Sequence, residues 1–178
     1  MSITSDRIKG AALARKFGAP KTARLIETSR DCYRSIFAMA IAEIGTPRLV
    51  EALAEAKDAK WTHHALRNIP NLTEAQRTTL CDVVVTTKDA DWAYHTLYIW
   101  ELTAAQRTTL CETIAATKDA DRAYHALRCV PNFTEDQRTT LFDVIVTTKD
   151  GGLAYRALYI HCLTDTQRSA LQKIARAA

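Results

Sequence analysis

The chain has 178 residues, with 24 Lys and Arg against 20 Asp and Glu and a formal net charge of +4. Hydrophobic residues make up 47% and charged residues 25%, which excludes an intrinsically disordered chain and allows one core of ordinary size. No apolar run approaches the roughly 18 residues that span a bilayer, and no secretory apolar core follows the basic N-terminus.

Residues 1–19 read as an N-terminal capping helix. Ser5 is its expected cap, and the helix runs from Asp6 to about Phe17 and stops at Gly18 before Pro20. Ile8, Ala12 and Leu13 are its expected buried stripe. Residues 1–30 carry Arg7, Lys9, Arg15, Lys16, Lys21, Arg24 and Arg30 against Asp6 and Glu27, a local net charge of +5. This basic cluster is either a solvated capping face or a contact for nucleic acid or another polyanion.

Residues 20–45 form a degenerate repeat, with helices expected over 21–28 and 31–44 and Asp31 between them. The second of these is strongly apolar, with Ile36, Phe37, Met39, Ile41 and Ile44. Pro47 then opens the next helix at a position that tolerates proline.

Residues 46–162 hold four helix-pair repeats, and 163–178 a C-terminal half-repeat. The phrase Q-R-T-T-L recurs from Gln76, Gln106 and Gln137, and Gln167 opens a partial copy, at spacings of 30, 31 and 30 residues. Each copy starts with Thr-x-x-Gln (Thr73/Gln76, Thr103/Gln106, Thr134/Gln137, Thr164/Gln167), a capping box in which each side chain satisfies a backbone amide. Leu80, Val83 and Val84 give the first helix of one repeat its apolar stripe. Asp58, Asp89, Asp119 and Asp150 are the expected N-caps of the second helices. On the second helix of one repeat, Ala93, Thr96, Leu97 and Trp100 share a face expected to point inward. Gly151-Gly152 replaces Ala-Asp at the start of the last such helix and loosens it. Matching residues 61 apart (Arg67 and Arg128, Pro70 and Pro131, Tyr98 and Tyr159) show that the repeats alternate.

A period near 30 residues with two helices per period predicts a solenoid, because a helix pair with one apolar face buries it only against its neighbours. The stretch G-T-P-R-L-V-E-A-L-A-E-A-K-D-A-K-W-T-H-H-A-L-R-N-I-P-N, Gly45 to Asn71, resembles a short HEAT-like repeat, and the resemblance extends over about residues 20–178. It implies an all-α, right-handed solenoid of stacked antiparallel helix pairs in a single domain, 1–178, whose second helices line a concave face. Those helices would present four rows: Lys60, His64 and Arg67; Asp91, His95 and Tyr98; Asp121, His125 and Arg128; and Gly152, Arg156 and Tyr159. Arg and Tyr are enriched at interface hot spots. The alternative is that these are the polar outward residues of copied repeats.

Chemistry is sparse. Histidines on successive repeats sit about 10 Å apart, too far to share a zinc ion. There is no H-E-x-x-H, no glycine-rich phosphate loop and no G-x-S-x-G. The paired His-Glu motifs of HEAT-like deoxyhypusine hydroxylases are absent. Trp61, Trp92 and Asp91 resemble the Trp and Asp that HEAT-like alkylpurine DNA glycosylases use, but the rows here mix charge signs. Five cysteines (Cys32, Cys81, Cys111, Cys129, Cys162) without C-x-x-C point to reduced thiols and a cytoplasmic setting. Cys81 and Cys111 share a repeat column with Phe142 and Gln172, as packing residues do.

The expectation is therefore a non-catalytic interaction module without cofactor or metal, which binds a protein or peptide on the concave ladder. Nucleic acid is the second partner class, and a DNA-glycosylase-like enzyme the third reading. No membrane association is expected, and the terminal half-repeat offers a contact for oligomerisation.

Overall fold

The computed structural model describes residues 3–28 and 33–177, with side chains from residue 7 onward. Arg30, Asp31 and Cys32 lie outside the described residues, as do the side chains of Ser5 and Asp6. Among the described residues there are twelve α-helices and no strand. No helix is long and apolar enough to cross a membrane.

The helices form two compact units, Met1–Thr87 and Lys88–Ala178. The first holds α1 (Ile3–Lys16), α2 (Pro20–Thr28), α3 (Tyr33–Ile44), α4 (Thr46–Ala56), α5 (Ala59–Asn68) and α6 (Glu74–Thr86). The second holds α7 (Ala90–Leu97), α8 (Ala104–Thr117), α9 (Ala120–Cys129), α10 (Glu135–Thr148), α11 (Gly151–Ala157) and α12 (Asp165–Ala177). Within the second unit each helix packs on the next and on the next but one. In the first unit the sequential neighbours pack, together with α3 on α5 and α4 on α6.

Local signals place the helix starts. All four capping boxes form: the Thr hydroxyl accepts from the Gln amide at 3.2–3.3 Å, and the Gln Oε1 accepts from the Thr amide at 2.9–3.0 Å. Asp58, Asp89, Asp119 and Asp150 each cap a second helix, accepting from Trp61, Trp92, Arg122 and Leu153 amides. Helix α1 ends in a Schellman turn, with Gly18 at φ 82° and the Ala19 amide donating to the Ala14 carbonyl at 2.8 Å. The first helices of the repeats end differently. Lys57, Lys88, Lys118 and Lys149 of the recurring Lys-Asp dipeptide take left-handed φ values of 49–57°.

The recurring arginine of Q-R-T-T-L is a staple that the sequence reading missed. Arg77 and Arg138 donate to the carbonyls of Leu72 and Phe133, five residues back. Arg107 and Arg168 instead reach the carbonyls of Leu97 and Leu158, ten residues back. The preceding helix explains the alternation. Helices α5 and α9 run ten residues and lead into Pro70 and Pro131, whereas α7 and α11 stop after eight and seven and leave carbonyls for the guanidinium to satisfy.

The core follows the repeat frame: Leu80, Val84, Ala93, Leu97, Leu110, Ile114, Ala123, Leu141, Ile145 and Ala154 are fully buried. Cys81 and Cys111 are buried beside them, and burial pushes both thiols up to about 12, so neither is a thiolate near neutrality. Two expectations are corrected. In α1, Ile8 is 66% exposed and Ala12 is exposed, while Gly10, Ala11 and, just beyond the helix, Phe17 are buried. The helix turns its smallest face inward because the Trp61 indole occupies the space a side chain on Gly10 would need. Trp100, expected inside, is 83% exposed, because α7 ends at Leu97 and the helical period no longer applies beyond it.

Glu43 on α3 supplies a cap from a distance. Its carboxylate accepts from the Lys21 amide at 3.0 Å, the Thr22 amide at 2.7 Å and the Thr22 hydroxyl at 2.6 Å, at the start of α2. Desolvation alone raises this carboxyl, but the hydrogen bonds from Thr22 and Lys21 outweigh it and hold it below the ordinary carboxylate range. A lowered folded-state value stabilises the ionised protein at neutral pH, and that stabilisation is lost as pH falls through the carboxylate range. Glu43→Gln is therefore expected to melt lower than the parent at pH 7, with the gap closing on acidification. Melting curves between pH 7 and pH 3 check this; a pH-independent gap would assign the loss to packing.

Candidate interaction surface

The predicted rows sit on α5, α7, α9 and α11, except Tyr98 and Tyr159, which lie just past the ends of α7 and α11. In the first unit, Lys60 and His64 are half-buried and Arg67 is exposed. The His64 ring stacks on Tyr33 with centroids 3.6 Å apart, so this histidine is part of an aromatic cluster with Trp61.

In the second unit the three rows are joined to one another. Asp91 on α7 pairs with Arg122 on α9 at 2.7 Å, and His95 Nε2 lies 3.5 Å from the same carboxylate. Asp121 on α9 pairs with Arg156 on α11 at 3.0 Å. Each arginine also lies over the tyrosine ring of the preceding row: Arg122 is 5.6 Å from the Tyr94 centroid and Arg156 is 5.2 Å from that of Tyr124. His125 lies between Tyr124 and Tyr94, at 5.2 and 6.2 Å. Tyr98 bonds Tyr94 through their hydroxyls at 2.7 Å, and Tyr159 bonds Tyr155 at 2.9 Å. Burial, the Tyr94 hydroxyl and the Cys129 thiol raise the Tyr98 phenol. The hydrogen bond to Tyr155 raises that of Tyr159. Both phenols are neutral at physiological pH.

The sequence reading named the outer rungs and missed the inner ones. Tyr94, Tyr124 and Tyr155, each following the recurring alanine of the second helix, are absent from the predicted rows, yet Tyr94 and Tyr124 supply the ring faces for Arg122 and Arg156, and Tyr155 holds Tyr159. Their signal was recurrence beside the His and Arg column on a helix arc between core and solvent. Arg122 stands in the column of Trp61 and Trp92, and no spacing pointed to it.

Between α9 and α11 lies a cleft of about 700 Å³. Arg128, Arg156 and Tyr159 of the predicted rows line it, together with Tyr124, Tyr155 and Arg138. No aspartate or glutamate is among the described residues that line it. Arg138 is held by Glu135 at 2.6 Å and by the Phe133 carbonyl at 2.8 Å, and Arg156 by Asp121. Arg128 is exposed and donates to the Tyr124 hydroxyl at 3.2 Å, with no carboxylate partner among the described residues.

The basic N-terminal cluster is not uniformly positive in space. Arg15 pairs with Glu27 at 2.6 Å and Lys16 lies 3.8 Å from Glu55. Glu43 meets the backbone of Lys21. Arg7, Lys9 and Arg24 complete the group along α1 and α2. Cys129 and Cys162 are exposed, and Cys81, Cys111, Cys129 and Cys162 are free thiols. No group of three His, Cys, Asp or Glu side chains able to hold a metal ion occurs among the described residues.

Comparison with known proteins matches this chain to no family model, no curated protein and no solved structure.

Proposed function

We propose that the chain is a non-catalytic interaction module, an α-solenoid of HEAT-like type, whose second helices carry the residues that bind a protein or peptide. The observation that carries this is the α9–α11 cleft, where Tyr124 and the hydroxyl-paired Tyr155 and Tyr159 accompany Arg128, a guanidinium with no carboxylate partner among the described residues. Rigid aromatic side chains and arginine combine large contact area with a small entropic cost of ordering, as interface anchors require. The contact of each helix in the second unit with the next and next but one supports a solenoid, as does the 61-residue alternation. Free thiols on a repeat frame fit a reducing, cytoplasmic setting.

The test is affinity purification with the parent chain and with an Arg67→Ala, Tyr98→Ala, Arg128→Ala variant. The three side chains are exposed, so the variant is expected to melt with the parent but to lose specific partners at least tenfold, a change of about 1.4 kcal/mol. Identical partner sets from both chains, or a variant that unfolds, would assign the ladder to structure.

A nucleic-acid reading rests on the local charge of +5 in residues 1–30. The carboxylates of Glu27, Glu43 and Glu55 among those cations argue against it. An anisotropy titration with DNA and RNA oligonucleotides at low and moderate salt decides between the readings. Salt-sensitive binding that vanishes when Lys9, Arg15, Lys16 and Arg24 are neutralised would transfer the function to nucleic acid.

A further inference from the structure

We propose that the α9–α11 cleft reads a single carboxylate on a partner segment, with an apolar side chain of that segment seated on the cleft floor. This deepens the peptide-binding reading and rests on it. Three guanidinium groups reach the cleft, and two are already committed. Arg138 is engaged by Glu135 and a backbone carbonyl, and Arg156 by Asp121. Among the described residues Arg128 has only the Tyr124 hydroxyl as partner, which accepts a hydrogen bond but supplies no carboxylate. Its planar fork matches one carboxylate, through two parallel N–H···O bonds.

The rest of the lining fixes what accompanies the carboxylate. Leu127, Val130, Phe133 and Ile160 are buried side chains at the cleft, an apolar floor beneath a polar rim. Tyr155 and Tyr159 are 57% and 68% exposed, yet their hydroxyls are tied together, so their rings form a preset wall. A volume of about 700 Å³ falls within the range of roughly 300–1,000 Å³ typical of small-ligand sites. It accommodates an acidic residue and an adjacent aliphatic or aromatic one. The same features disfavour a polyanion. A phosphate backbone needs a line of uncompensated cations. Among the described residues that line the cleft there is one such arginine, Arg128, because Glu135 and Asp121 compensate Arg138 and Arg156.

The carboxylate has two sources, an Asp or Glu side chain or a free chain terminus, and the experiment separates them. A random dodecapeptide display library is selected on the immobilised full chain and counter-selected on its Arg128→Gln variant, whose fold is checked by its melting curve. Enriched peptides are expected to carry Asp or Glu next to Phe, Tyr, Leu or Ile. Fluorescein-labelled synthetic copies are then titrated by anisotropy, as C-terminal amides and as free acids. The side-chain source predicts at least tenfold weaker binding when the acidic residue becomes its amide, with no change between amide and free-acid termini. The terminus source predicts tenfold tighter binding of the free acid. In either case Arg128→Gln weakens binding about tenfold, and combining it with removal of the carboxylate adds little further loss. Enriched peptides without an acidic residue, or peptides indifferent to Arg128→Gln and to a free terminus, would overturn the carboxylate site while leaving the peptide-binding module standing. A library that yields no binder, with oligonucleotides binding the same chain, would overturn both.

Discussion

Gly10→Val is expected to destabilise the first unit by about 3 kcal/mol, the upper end of the cost of forcing added methyl groups into a packed site. A Cβ on Gly10 would overlap the indole of Trp61. Trp61 is 7% exposed and meets Tyr33 and Phe37 edge-on, with centroids 5.4 and 6.2 Å away, so moving its ring would disturb both contacts. Helix propensity works the other way, since alanine in a helix interior is favoured over glycine by about 1 kcal/mol. The melting temperatures should therefore fall in the order glycine, alanine, valine, with alanine a partial loss. An alanine variant as stable as the parent would mean that α1 does not rest on Trp61.

Gln137→Met is expected to cost about 2–3 kcal/mol, the sum of a lost cap and of unsatisfied buried groups. Gln137 is 2% exposed and does two jobs. Its Oε1 accepts from the Thr134 amide at 3.0 Å, closing the capping box of α10. Its Nε2 donates to the Ala104 carbonyl at 3.0 Å and the Thr108 hydroxyl at 2.9 Å, both on α8. Methionine matches its length and shape but makes none of these bonds. Gln167 is the internal control, because it closes the same box on α12 and is only half-buried. Gln167→Met should lose only the cap, about 1 kcal/mol or less. Urea melts of the two variants give the difference, which is the α8–α10 contribution; equal losses would show that Gln137 acts as a cap alone.

Much of the helical layout was legible because its signals are local. A Thr three residues before a Gln, or an Asp before an alanine, satisfies amides within one turn, and no distant partner is needed. What the sequence concealed depends on partners from elsewhere in the chain. Helical periodicity placed Ile8 and Ala12 of α1 inward with Leu13, yet Ile8 and Ala12 are exposed and Leu13 is half-buried. The partner surface is a protruding indole, and it selects the face with the least bulk, at Gly10 and Ala11. Trp100 was assigned by extending a 3.6-residue period past the point where Arg107 takes the Leu97 and Ile99 carbonyls and the helix has already ended. The candidate surface was half legible. Its outward column could be read from a helical wheel, but the Asp91–Arg122 and Asp121–Arg156 pairs join side chains 31 and 35 residues apart. The second of these pairs commits Arg156, as Glu135 commits Arg138, and so Arg128 is left as the cleft arginine without a carboxylate partner among the described residues.

The left-handed lysines have a consequence for how this chain stays in solution. Lys57, Lys88, Lys118 and Lys149 are all exposed, and each holds a backbone geometry that glycine adopts without strain. Glycine at each would relieve a fraction of a kcal/mol to about 1 kcal/mol. Changing all four would also erase the formal charge of +4 and bring the protein to its isoelectric condition at neutral pH, where mutual repulsion between molecules is weakest. The chain thus keeps its colloidal dispersity at four sites where the backbone is least comfortable. Engineering for heat resistance there would trade directly against solubility.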